Sequence, residues 1–212
     1  MNPSGFWPLV PATLFICGAG FAAGGDKEYV QNRNARVSLT TGECLDMAGR
    51  PISEAIVVKG YRDGGLRMEA PCRNGKMDGV VKAWRADGKP LFESPYVRGK
   101  RDGAERFYYE SGALSAETLF KSGRMDGIAR EYHENGRLKS EFSFRQGLLD
   151  GVAKEYYPDG AIKSETSFRD GKANGVSKAY HESGSLKEEA AYRSGEQIGA
   201  ARRYDENGNP IR

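Results

Sequence analysis

The stretch Gly127 to Gly151, GIAREYHENGRLKSEFSFRQGLLDG, decides the fold. Ile128, Arg130 and Tyr132 alternate with Ala129, Glu131 and His133. Beyond Glu134-Asn135-Gly136, the residues Leu138, Ser140, Phe142 and Phe144 alternate with Lys139, Glu141, Ser143 and Arg145. Successive side chains of a strand point to opposite sides, so alternation on both sides of a glycine turn predicts a β-hairpin with one apolar face. No stretch between glycines is long enough for a stable helix. The glycines supply positive φ or tight turns at which a Cβ would clash.

The same unit recurs with a period of 24 residues. One glycine row is 75, 99, 123, 147, 171 and 195, a second is 79, 103, 127, 151, 175 and 199, and a third is 88, 112, 136, 160, 184 and 208. Side chains keep step with them. Trp84, Tyr108, Tyr132, Tyr156, Tyr180 and Tyr204 form one aromatic row, and Tyr96, Phe120, Phe144, Phe168 and Tyr192 form another. Leu66, Leu114, Leu138, Ile162 and Leu186 form an aliphatic row, with Pro90 and Pro210 at the same phase. A basic row (Lys82, Arg106, Arg130, Lys154, Lys178, Arg202) accompanies an acidic one (Glu69, Glu93, Glu117, Glu141, Glu165, Glu189).

A lone hairpin is marginal in water, and a repeat that buries its apolar rows against its neighbours overcomes this. Constant spacing is required because a one-residue slip turns the aromatic face outward. The expected fold is all-β, an elongated array of antiparallel hairpins forming a twisted meander over residues 55–212. Residues 55–78 read as a degenerate first unit, in which Gly64, Leu66 and Glu69 keep phase and Cys72 replaces the aromatic. Trp84, Tyr108, Tyr132, Tyr156, Tyr180, Phe120, Phe144 and Phe168 are the expected repeat core. Residues 25–54 fall outside the pattern and are expected to cap a sheet edge or act as a linker.

In its glycine, aromatic and glutamate phases the unit resembles the bacterial MORN-repeat variant of the YwqK family. The resemblance covers about three quarters of the chain and implies stacked β-hairpins. It also implies a binding or scaffold role, and for YwqK-like proteins that of an antitoxin binding a partner toxin.

Composition bounds the rest. Of the 212 residues, 38% are hydrophobic and 29% charged, which suits a thin structure with much exposed surface. The aromatic content, 10%, argues against disorder. The formal charge of +3 is spread over 32 basic and 29 acidic residues, without the concentrated basic patch of a nucleic-acid binder. Balanced rows also argue against an electrostatic membrane-surface role. Leu9 to Ala23, LVPATLFICGAGFAA, has the length of a signal-peptide apolar region, and Ala22-Ala23-Gly24 offers small residues for cleavage. Residues 1–24 are therefore a candidate signal peptide, with a periplasmic or secreted product expected and a cytoplasmic one as the alternative. Ile16 before Cys17 does not fit a lipid-anchor site. Removal of the leader leaves Cys44 and Cys72, a candidate disulfide in an oxidising compartment.

The chemistry-bearing residues are sparse. His133 and His181 are the only histidines, share one phase, and are expected on a solvated strand end, without context for catalysis or metal binding. A glutamate in every unit reads as a repeated structural contact, made with the basic row or with Arg73, Lys121, Arg145, Arg169 and Arg193, rather than as catalytic carboxylates. No enzyme activity, cofactor or small-molecule ligand is expected. Phe107, Tyr109 and Tyr157 lie on the opposite strand parity from the periodic tyrosines and are candidate partner-contact aromatics. The sequence points to a non-enzymatic protein-binding repeat.

Overall fold

A computed structural model describes residues 29–31, 35–54, 56–59 and 67–211. The leader 1–24 lies outside them, as do Gly64 and Leu66 of the degenerate unit. The described residues form strands and turns, with no helix among them.

The strands begin with β1 (Tyr29–Gln31), β2 (Ala35–Ser38), β3 (Cys44–Asp46), β4 (Ile56–Lys59), β5 (Arg67–Ala70), β6 (Cys72–Arg73) and β7 (Lys76–Met77). The repeats supply β8 (Gly79–Trp84), β9 (Pro90–Val97), β10 (Lys100–Arg101), β11 (Gly103–Tyr108), β12 (Leu114–Lys121), β13 (Arg124–Tyr132) and β14 (Leu138–Arg145). They continue with β15 (Leu148–Leu149), β16 (Gly151–Tyr156), β17 (Ile162–Arg169), β18 (Lys172–Tyr180), β19 (Leu186–Arg193), β20 (Glu196–Tyr204) and β21 (Pro210–Ile211). One large sheet runs from β4 and β5 through β8, β9, β11, β12, β13, β14, β16, β17, β18, β19 and β20 to β21, with β10 on β9 and β15 on β14. The strands of this sheet pair antiparallel in chain order, so it is the meander that the repeat predicts, and it stays open; β6 and β7 pair separately.

Two turns alternate along it. The tight turns are two-residue loops at Asn74-Gly75, Arg98-Gly99, Ser122-Gly123, Gln146-Gly147, Asp170-Gly171 and Ser194-Gly195. Their first residues have φ of 49–52° and their glycines 75–93°. Positive φ at both central positions is the type I′ geometry, whose twist matches that of the flanking strands. The wide turns span five residues, as in His133 to Arg137, where the His133 amide donates to the Arg137 carbonyl at 2.8 Å. The second glycine row lies in the strands, at φ of 117–129° for Gly79, Gly103, Gly127, Gly151 and Gly175. At Gly151 the preceding Asp150 amide donates to the Ser143 carbonyl at 2.9 Å, and the ladder shifts register between Phe144↔Leu149 and Glu141↔Lys154. The recurring Asp-Gly is therefore a bulge that redirects each hairpin tip.

The tips stack by hydrogen bonds 22 residues apart. The amides of Gly99, Gly123, Gly147, Gly171 and Gly195 donate to the carbonyls of Met77, Arg101, Met125, Leu149 and Ala173 at 2.7–2.8 Å. The segment before the repeats continues this stack. Gly75 donates to Ile52, Cys44 to Gly75 and Met77 to Gly42, each at 2.8 Å. Its small sheet, β1-β2-β3, places Val37 and Cys44 in one core with Met68, Met77, Val81, Phe92 and Tyr96. The Tyr96 hydroxyl donates to the Leu39 carbonyl at 3.0 Å. Cys44 and Cys72 are joined by a disulfide.

The single apolar face expected from the alternation is not what forms. In the hairpin β13–β14, Tyr132 pairs with Leu138, but Glu131 pairs with Ser140, so Lys139 is an extra residue. A one-residue bulge moves every later side chain to the other face. Ala129 and Glu131 share a face with Ser140, Phe142 and Phe144, while Arg130 faces Glu141 on the reverse. The first is the packed face. Phe120, Phe144 and Phe168 are buried there, and Leu149 and Ala173 from the tips join Phe142, Phe144 and Phe168 in a second core. Trp84, Tyr108, Tyr132, Tyr156 and Tyr180 are only half-buried.

Candidate functional site: the ladder face

The reverse face is built by the basic and acidic rows. Lys82 is directly opposite both Glu69 and Glu93, Arg106 opposite Glu93 and Glu117, and Arg130 opposite Glu117 and Glu141. Lys154 is opposite Glu141 and Glu165, Lys178 opposite Glu165 and Glu189, and Arg202 opposite Glu189. The result is one line of alternating charge from Glu69 to Arg202, one residue per strand, perpendicular to the strands. Ion pairs along it include Arg106–Glu117 at 2.7 Å, Arg130–Glu141 at 2.8 Å, Lys82–Glu93 at 3.2 Å and Arg202–Glu189 at 3.6 Å. Of the two partners expected for the glutamates, the structure brings in the basic row. Directly opposed unlike charges stabilise a sheet by a few tenths of a kcal/mol to about 1 kcal/mol each.

An aromatic stripe flanks the line. The Tyr180 hydroxyl donates to Glu165 at 2.7 Å. Burial, that hydrogen bond and the charges of Glu165 and Glu189 push the Tyr180 phenol up to about 12. Burial raises the Tyr108 phenol, and Glu93 adds to it. The Arg67 guanidinium lies 5.1 Å from the centre of the Trp84 ring. On the other flank runs an aliphatic stripe. Val80, opposite Pro95, is 41% exposed, and Val152 and Val176, opposite Ser167 and Ala191, are 44% and 45% exposed. Leu119 and Ile198 are exposed beside them, and Ile128 is half-buried between.

The remaining candidates make contacts between strands and repeats. Tyr109 donates its hydroxyl to the Tyr132 carbonyl at 2.5 Å, and Tyr157 to that of Tyr180 at 2.8 Å. At the same phase Arg85 donates to Tyr108 at 2.8 Å and His181 Nε2 reaches the Tyr204 carbonyl at 3.0 Å. This phase therefore stitches each repeat to the next, 23 residues on, and is not the solvated strand end expected for the histidines. His133 departs from it, since its Nε2 is buried without a hydrogen-bond partner. Phe107 packs on Phe92, ring centres 5.9 Å apart, within the first core. Phe107, Tyr109 and Tyr157, the candidate partner-contact aromatics, are thus half-buried and each engages a neighbouring strand or repeat. Among the described residues no group of His, Cys, Asp or Glu is placed to hold a metal ion, and no helix is long and apolar enough to cross a membrane.

An open sheet of stitched hairpins with a patterned face is a β-repeat array. Residues 101–122, 125–146, 149–170 and 173–193 match the family described as MORN repeat variant, so the similarity runs through four consecutive units. Each match spans a tight-turn phase to the next and contains the Glu row, the Phe120-type aromatic row and the wide-turn glycine row. No curated protein matches the chain.

Proposed function

We propose that this is a non-enzymatic repeat protein of the cell envelope that binds protein through its ladder face. The carrying observation is the row of exposed Val80, Leu119, Val152, Val176 and Ile198 beside the charge line. Apolar side chains left outside while charges occupy the middle of the face make a surface for docking rather than for packing. The Cys44–Cys72 disulfide supports an oxidising compartment, in keeping with the candidate leader. A photo-cross-linking side chain placed at Val176 is expected to capture protein in cells, and one at the exposed Met47, outside the large sheet, is not. Absence of any adduct at Val176 refutes the reading. Fractionation is expected to recover a periplasmic or secreted product shortened by about 22–24 residues.

A second reading, a YwqK-type antitoxin using the same face against a toxin, draws on the resemblance of the repeat unit. It requires a neighbouring gene that is toxic when expressed alone and harmless with this chain. The disulfide weighs against it for a cytoplasmic toxin.

A further inference from the structure

We infer that the ladder face pairs with the ladder face of a second copy of this chain, the two copies related by a two-fold axis parallel to the strands. This rests on the protein-binding reading above and names its partner.

The charge line decides the symmetry. It begins with Glu69, ends with Arg202 and alternates in sign at every strand. An axis parallel to the strands and lying between the two faces reverses the line in the second copy. When the axis passes between neighbouring strands, as between β13 and β14, Arg130 meets Glu141 of the other copy and Lys154 meets Glu117. Every other facing pair is then opposite in sign as well. An axis along the line instead sets each charge against its own copy and is excluded by repulsion. The permitted axis preserves the strand direction, so the aliphatic stripe meets the aliphatic stripe and the aromatic stripe the aromatic one. A two-fold contact is self-complementary in this sense, the same patch serving both partners.

The dimensions suffice. Eleven strand spacings of about 4.8 Å make the line about 50 Å long, and five residues of strand make the face about 15 Å wide. Full overlap buries roughly 1,500 Å2 in total, within the range of a standard specific interface. Twisted sheets pack at an angle of about 30°, which concentrates the contact on the strands nearest the axis. Apolar contact supplies affinity, and the charges supply orientation.

The test uses the full chain as recovered from cells, with its disulfide intact. Sedimentation velocity is expected to show a dimer that dissociates on dilution. Val152→Glu combined with Val176→Glu, both at exposed sites, is expected to weaken dimerisation at least tenfold with unchanged circular dichroism. Met47→Glu, at an exposed site outside the large sheet, is expected to leave it intact. A photo-cross-linker at Val152, in a mixture of light and heavy isotope-labelled chains, is expected to join light to heavy chain through ladder-face peptides. A monomer at the highest soluble concentration overturns the proposal, as does a dimer that survives the double substitution. Cross-links from the ladder face to a different protein overturn the self-pairing and leave the protein-binding reading standing. Absence of both kinds of cross-link removes the two together.

Discussion

Alanine at Gly151 should damage the protein far more than alanine at Gly136, although both replace a repeat glycine with positive φ. At Gly151 φ is +126°, and an added Cβ would lie 2.9 Å from Ser143 Cβ and 3.1 Å from its Oγ. The first contact is with an atom next to the backbone, which cannot swing aside. Backbone strain of this kind costs on the order of 1–3 kcal/mol, and overpacking adds about 1–3 kcal/mol. The expected loss is about 3–4 kcal/mol in all. At Gly136 φ is +81° and nothing lies within 4 Å, so only left-handed strain of roughly 1–2 kcal/mol applies. Urea denaturation followed by circular dichroism gives the comparison. With a slope of about 2 kcal/mol per molar, the two midpoints should differ by about 1 M. Repeat arrays do not always unfold in one step, so hydrogen exchange at the β14 and β16 amides gives a local reading. Ser143→Gly in the Gly151→Ala background should recover the steric share and not the φ share, because it removes the atom that is struck. Equal losses at Gly136 and Gly151, or no recovery with Ser143→Gly, would refute the bulge as the source of the glycine requirement.

Cys44→Ser should cost about 3.5 kcal/mol by the chain-entropy relation for a 28-residue separation, with loss of hydrogen-exchange protection confined to the cap and first hairpin. Protection lost equally in β17–β20 would contradict that. Glu141→Lys places a positive charge directly between Arg130 and Lys154 and should destabilise by about 1–2 kcal/mol, partly relieved by salt. Glu134→Lys, on an exposed turn, is the control and should be silent. His133→Tyr should supply the hydroxyl that Tyr109 and Tyr157 give to the next repeat and stabilise by about 0.5–1.5 kcal/mol. Stability should also fall in alkali. The folded chain holds the Tyr180 proton up to about 12, whereas the unfolded chain releases it near 10, so this contribution is intact below 10 and is lost as pH rises towards 12. Raised phenols at Tyr96, Tyr108, Tyr109, Tyr157 and Tyr192 act in the same direction. A urea midpoint unchanged between about pH 9 and about pH 11.5 would count against it, and Tyr180→Phe should flatten the fall.

The hairpins were legible because a hairpin is local, and glycine phases report turns directly. The face assignment was not legible, because it depends on one extra residue per wide turn. Alternation alone sets Tyr132 and Phe144 on one apolar face; the bulge at Lys139 puts them on opposite faces. The bonds from the Tyr109 and Tyr157 hydroxyls to carbonyls of the next repeat were not legible either, because composition does not show which residue a tyrosine reaches. The charge line was half legible. Both rows were visible as periods, but their merger into one alternating line needs register on both sides of every strand. The exposed valines left a signal, since Val80, Val152 and Val176 each follow the second glycine of a unit. Their meaning appears only beside the charges.

The unit of 24 residues is set by more than hairpin length. The tip bonds recur 22 residues apart and the Tyr109-type bonds 23 apart, with Arg137 reaching the Asp159 carbonyl at the turn where His133 makes no such bond, so both ends of these hairpins are tied to the next one. Inserting one residue within a strand breaks one tie and reverses the faces beyond it. Inserting a single strand keeps the faces but sets two like charges side by side in the ladder. Only two strands together, one carrying a base and one an acid, extend the sheet with its sign alternation intact. An array lengthened by whole units keeps an even number of alternating charges, so a reversed copy of the line still matches it from end to end. The spacing that stabilises one sheet is thereby the spacing that keeps its ladder face self-complementary.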